Sequence, residues 1–169
     1  MNVMELAAKR LASGRRTEKE LYDHLLKKGA DPREAAAVVA SFREDGYLND
    51  EFYCRDYFRI ALEKGWGKQR AFRELENRGV RRDVIEEAWE TYAEENPVSE
   101  TDNAYRVIAK MAGTEDLDEN GRLPDKLKAK LARRLYGYGY GTAVIYAAVD
   151  LLAEELYKER AAETGPEEE

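Results

Sequence analysis

The residues that come nearest to a chemical motif lie between Gly113 and Lys126, where Asp116-Leu117-Asp118-Glu119-Asn120-Gly121 sets oxygen-bearing side chains ahead of a glycine. A calcium loop opens this way, its sixth-position glycine permitting the sharp wrap round the ion. The ninth and twelfth positions should then supply further oxygens, and here they are Pro124 and Leu127. We therefore expect no metal, only a solvated acidic connection between two helices. Gly137-Tyr138-Gly139-Tyr140-Gly141 has the glycine density of a phosphate cradle, yet no Lys-Ser or Lys-Thr follows and no strand precedes it. It reads as a helix stop and a tight turn, with two tyrosine rings available to a partner or a base. His24 and Cys54 are each the sole residue of their type. Neither has companions for a metal set or a nucleophile–base pair, and Cys54 is expected in the core. Carboxylates abound without any pair standing out, so no enzyme activity and no cofactor are expected.

What remains is charge. The net charge of −7 argues against a protein whose main business is coating DNA, because phosphate binding draws on clustered Lys and Arg. Residues 157 to 169 hold five acids against Lys158 and Arg160, a contribution of −3, and are expected to form a disordered tail after the last helix frays near Tyr157. Elsewhere the charges segregate. Basic residues gather at Arg15, Arg16, Lys19, Lys27 and Lys28, again at Lys68, Arg70, Arg73 and Arg78, and again at Lys126, Lys128, Lys130, Arg133 and Arg134. Asp83, Glu86, Glu87, Glu90, Glu94 and Glu95 make one later segment acidic. Two readings compete. The basic segments form a surface that steers the protein to acidic proteins or phosphates, or basic and acidic helices neutralise one another in surface pairs worth under about 1 kcal/mol each.

These segments are carried by helices. The first is expected over about Val3 to Ser13, with Gly14 as its stop. Thr17-Glu18-Lys19-Glu20 is a capping box, and Asp31-Pro32 starts a third helix, with Glu34 expected to close another box. Ala35, Val38, Val39 and Phe42 then follow at i, i+3, i+4, i+7, one buried stripe. Fifty residues on, the stripe is Ile85, Ala88, Trp89 and Tyr92, and sixty beyond that it is Ile145, Ala148, Val149 and Leu152. A preceding glycine recurs in register as Gly29, Gly79 and Gly139, and a leucine four residues earlier as Leu25, Leu75 and Leu135. Chance rarely aligns six positions three times, so the chain is all-α, with three tandem three-helix repeats stacked in an array. We place the repeats at 1–48, 49–96 and 97–156, with a joint at Asn96-Pro97-Val98-Ser99. Asn49 should cap a helix carrying Phe52, Tyr53, Tyr57, Phe58, Ile60 and Ala61, apolar on more than one side and so buried between neighbours. No segment alternates with period two, so no strand is expected. No run is long enough to span a membrane, the start does not read as a secretory signal, and a single cysteine fits a reducing cytoplasm.

The centre of the chain carries a more specific pattern. Gly46-Tyr47-Leu48-Asn49-Asp50-Glu51-Phe52, then Gly65-Trp66-Gly67 leading through Glu74-Leu75 to Gly79, resembles the RecX family, regulators of the RecA recombinase. The resemblance covers about residues 1 to 156, most strongly Gly46 to Tyr92. It implies an elongated, curved array of nine helices that binds the RecA nucleoprotein filament, limits its growth and restrains its recombinase, ATPase and coprotease activity. We expect a monomer that binds DNA weakly on its own. From the charge segregation and the turns we expect the contacts at Lys68, Arg70, Arg73, Lys128, Arg133, Arg134, Tyr47, Trp66 and Tyr138. A direct DNA binder built on helix-turn-helix geometry is the first alternative, opposed by the acidic third helices. A helical scaffold for an unrelated protein is the second.

Overall fold

The structure, a computed structural model, describes residues 1–165. Among these the chain forms α1 (Val3–Ala12), α2 (Glu18–Lys27), α3 (Pro32–Glu44), α4 (Asp50–Glu63), α5 (Lys68–Asn77), α6 (Arg82–Glu95), α7 (Glu100–Ile108), α8 (Asp125–Gly137) and α9 (Thr142–Thr164), one 3-10 turn at Thr114–Asp116, and no strand. No helix among the described residues is long and apolar enough to cross a membrane. The expected starts are built as written. Thr17 and Glu20 exchange both bonds of the capping box, and Asn49 Oδ1 accepts from the Phe52 amide at 3.0 Å. Asp31 accepts from the amides of Arg33 and Glu34, but Glu34 makes no return bond and its box stays open.

The repeat register survives in three dimensions. Leu25, Leu75 and Leu135 are each fully buried, and the glycines that follow them take φ of 94°, 86° and 93°. Each marks the same left-handed stop, which costs a residue with a Cβ about 1 kcal/mol or more. The chain packs into two compact units, one of Met1–Ile60 with Phe72–Pro97, the other of Ala61–Ala71 with the described chain from Val98 onward. Because the division falls within α4 and α5, the middle repeat supplies residues to both.

In unit 1, Val3, Ala7, Leu21, Leu25, Ala35, Val38 and Val39 form an aliphatic core. A second, aromatic layer joins Phe58 to Phe72, Trp89 and Tyr92, the tightest pair being Phe58 and Trp89 edge-on at 5.0 Å. Arg78 turns inward: Nη1 meets the Tyr53 hydroxyl at 2.6 Å and the guanidinium lies 4.7 Å from the Tyr57 ring. Thr17, fully buried, donates its hydroxyl to the Arg78 carbonyl at 2.7 Å. Cys54 is buried as expected, and burial pushes its thiol up to about 12, far from a working thiolate.

In unit 2, Ala104, Ile108, Leu131, Leu135, Ile145, Ala148, Val149, Leu152 and Leu156 pack together. The 113–124 connection joins this core through Leu117 and Leu123. Its acidic motif builds a turn, in which Asp118 Oδ1 accepts the amides of Asn120 and Arg122 at 2.8 and 3.0 Å. Those amides, Arg122 first, hold the carboxyl below its ordinary range. The expected fraying near Tyr157 is corrected, since α9 runs on to Thr164. The cause is contact with that turn. Leu156 is buried, a Cβ on Gly121 would strike the Tyr157 ring, and Arg160 Nη1 donates to the Asp118 carbonyl at 3.0 Å. Of the expected tail, Pro166 to Glu169 lie outside the described residues.

Candidate partner-binding surface

The surface grows from two turns of unit 2. Gly65-Trp66-Gly67 leads into α5, and Tyr138-Gly139-Tyr140 leads out of α8. The Gly67 amide donates to the Tyr138 carbonyl at 2.7 Å, and the Tyr140 hydroxyl donates to the Gly65 carbonyl at 2.7 Å. Neither glycine can be replaced freely, because a Cβ on Gly67 would land on the Gly139 carbonyl and one on Gly139 would land on the backbone and Cβ of Arg70. Tyr140 is almost wholly buried, and burial raises its phenol to about 12, so it remains a donor throughout the physiological range.

This stitching presents basic and aromatic side chains together. The Arg70 guanidinium lies 3.9 Å from the Trp66 ring centroid and Lys64 Nζ lies 4.8 Å from it. The Arg134 guanidinium sits 5.0 Å from the Tyr138 ring and donates to its hydroxyl at 3.2 Å. Such contacts contribute about 0.5–1 kcal/mol each when exposed, enough to orient the cations without neutralising them. Beside them a cleft of about 310 Å³ is lined by Lys64, Asn103, Arg106 and Tyr138 among others. Along α8, Lys126, Lys128, Lys130, Arg133 and Arg134 stand against the single acid Asp125. None of these five pairs with a carboxylate of the described residues.

Of the nine residues singled out from sequence, Trp66, Arg70, Arg134 and Tyr138 come together here. Lys128 and Arg133 share α8 with Arg134, half-buried and exposed respectively. Lys68 is half-buried in the first turn of α5, and Arg73 is exposed on the same helix. Tyr47 belongs to unit 1, where it is 71% exposed and meets Phe42 edge-on at 5.7 Å. Trp66 is half-buried, covered by its two cations. Sequence reasoning missed Lys64 and Arg106. Lys64 adjoins the Gly65 turn and could have been read from it; Arg106 reaches the cleft only through the packing of α7.

Family models match twice, the first three-helix domain of RecX over residues 4–42 and the second over residues 49–88. The regulatory protein RecX of Mycobacterium sp. (strain JLS) is 31% identical over 151 residues, covering 89% of this chain and 79% of that protein. The chain belongs to the RecX family. The RecX protein of Bacillus subtilis (strain 168) is likewise 31% identical, over 142 residues, 83% of this chain but 51% of that longer protein. The crystal structure of RecX from Lactobacillus salivarius superposes with a TM-score of 0.74 over 89% of this chain and 94% of that one, at 16% identity, a likeness of fold. The second match, residues 49–88, contains the Gly65-Trp66-Gly67 turn and the stretch from Glu74-Leu75 to Gly79, while Gly46-Tyr47-Leu48 lies between the two matches.

Proposed function

We propose that the protein binds the RecA nucleoprotein filament and restrains RecA recombinase, ATPase and coprotease activity, so regulating DNA repair and the SOS response. It acts as a monomer in the cytoplasm, with repeats at 1–48, 49–96 and 97–156. Its contacts are Lys68, Arg70, Arg73, Lys128, Arg133 and Arg134, flanked by Tyr47, Trp66 and Tyr138. The observation that carries this reading is the row of cations on α8 that no carboxylate of the described residues neutralises, in a member of a regulatory family. No chemistry is required of an inhibitor that binds one filament state more tightly than another. Several modest contacts on repeated protomers add through effective concentration.

The test is DNA-dependent ATP hydrolysis by the cognate RecA on preformed filaments, with this protein substoichiometric, beside its binding to bare single-stranded DNA at the same salt. Inhibition is expected, with bare DNA bound about tenfold or more weakly than the filament, a difference of about 1.4 kcal/mol. The variant Arg73→Glu/Lys128→Glu/Arg133→Glu should lose inhibition with its helical content intact; Arg70 and Arg134 are spared because they support the turns. No inhibition, with tight salt-sensitive binding to bare DNA, would replace this reading with direct DNA binding.

A further inference from the structure

Unit 2 carries a second concavity, which shares Arg133 and the cations of α8 with the surface above but lies on its own aromatic walls. Between α8 and α9 lies a groove of about 500 Å³ lined by Ala132, Arg133, Tyr136, Thr142, Ile145 and Tyr146. Its floor, Ala132 and Ile145, is aliphatic. Its walls are Tyr136 and Tyr146, 76% and 66% exposed, whose hydroxyls make no hydrogen bond among the described residues. Two large rings left standing over an aliphatic floor mark an interaction site more than a packing remnant.

Gly137, at the mouth of the groove, points the same way. It is the last residue of α8, has no left-handed φ, and a Cβ there would meet nothing. Glycine inside a helix costs about 0.5–1 kcal/mol relative to alanine. Nothing in the fold demands it at this position, where it lines the opening and a Cβ would find open space.

Charge selects the occupant. Lys126, Lys130 and Arg133 recur at i, i+4 and i+7 on the outer face of α8 and have no carboxylate partner among the described residues. A ligand seated in the groove therefore meets cations on leaving it. The aliphatic floor favours a leucine or phenylalanine side chain over a nucleobase, whose polar edges would lose hydration there without finding partners. We infer that this groove docks an acidic peptide segment bearing one or two large apolar side chains, the apolar groups between Tyr136 and Tyr146 and the carboxylates on Arg133 and the lysines. The inference rests on the reading of the protein as a protein-binding regulator, though not on the identity of its partner.

The probe is a fluorescein-labelled synthetic heptapeptide, Glu-Asp-Glu-Leu-Phe-Asp-Glu, followed by anisotropy with the full chain. Its companions are the same peptide with serine for Leu and Phe, and a labelled oligothymidylate. The acidic apolar peptide should bind saturably, about tenfold or more tightly than the serine form, which corresponds to about 1.4 kcal/mol. Gly137→Phe should fill the groove and abolish that preference with the circular dichroism spectrum and urea midpoint unchanged; Tyr146→Ser serves if the first variant folds poorly. No saturable binding up to about 1 mM, an affinity near −4 kcal/mol, would overturn the inference. So would equal binding of the serine form, affinity within twofold in the filled variant, or a groove blocked against oligothymidylate but not peptide. RecA inhibition without peptide binding removes the groove alone. Peptide binding lost in the filled variant, without RecA inhibition by the parent, removes RecA as partner and keeps the groove.

Discussion

Unit 1 and α8 of unit 2 use cations in opposite ways. In unit 1 Arg15 reaches Asp56 at 3.2 Å, Lys19 reaches Asp23 at 2.6 Å, Arg43 reaches Glu18 at 2.9 Å, and Arg82 reaches Glu76 at 2.8 Å and Glu86 at 3.1 Å. Arg78 is turned inward onto tyrosines. On α8 five cations have no such partner among the described residues. Surface pairing thus describes Arg15, Lys19, Arg43 and Arg82 of unit 1, whereas the cations of α8 have no carboxylate partner among the described residues.

The joints differ in parallel. Ahead of α2 the turn is held by a side chain, the Thr17 hydroxyl on the Arg78 carbonyl, beside Gly79. Ahead of α5 it is held by backbone, the Gly67 amide on the Tyr138 carbonyl, beside Gly139. A Cβ on Gly79 would strike the Cβ, Cγ and Cδ of Lys19, of which only the outer two can turn away; one on Gly139 would strike the Cβ and backbone of Arg70, none of which can move without shifting α5. The backbone joint tolerates less change, and it underlies the turns that carry Trp66 and Tyr138.

The largest effect should separate these joints. Gly139→Ala should lower stability by about 3 kcal/mol or more, combining left-handed strain with overpacking against backbone, and Gly79→Ala by about 2–3 kcal/mol, since the outer atoms of Lys19 can turn away but its Cβ cannot. Urea unfolding of both variants measures the gap, and equal losses would erase the distinction. Next come the hydroxyls. Thr17→Val should cost about 1–3 kcal/mol by removing a cap and leaving the Arg78 carbonyl unpaired, and Tyr140→Phe about 1–2 kcal/mol. Only the second should depend on alkali. The phenol of Tyr140 is raised from 10 to about 12 by burial, so its contribution is complete below the unfolded value and is lost as pH climbs from 10 through 12. The parent should therefore lose stability over that interval faster than Tyr140→Phe, and parallel curves would refute the assignment. The smallest effect concerns charge. Reversing Lys126, Lys130 and Arg133 to glutamate should alter stability by no more than about 0.5 kcal/mol in total. Reversing Lys19, Arg43 and Arg82 should cost about 0.5–1 kcal/mol for each pair broken, less at high salt. A loss on α8 as large as that in unit 1 would show that its cations are structurally paired after all.

By itself the sequence determined what depends on neighbours within one turn or one repeat. The capping box at Thr17, the cap at Asn49, the buried stripes from Ala35, Ile85 and Ile145, and the three leucine–glycine stops are all local, because helix periodicity and capping operate over three or four residues. The sequence also marked Trp66 and Tyr138 as turn aromatics. Only the tertiary structure decided which cations are free. Arg70 and Arg78 look alike along the chain, yet Arg70 covers Trp66 beside the Gly137 carbonyl, 67 residues away in sequence, while Arg78 is half-buried against Tyr53, 25 residues away. The extension of α9 beyond Tyr157 has the same origin, since Gly121 and Asp118 hold it across a separation of 42 residues at the Arg160 bond. A charge is neutralised by whatever carboxylate comes within about 4 Å, and that distance is set by packing rather than by order in the chain.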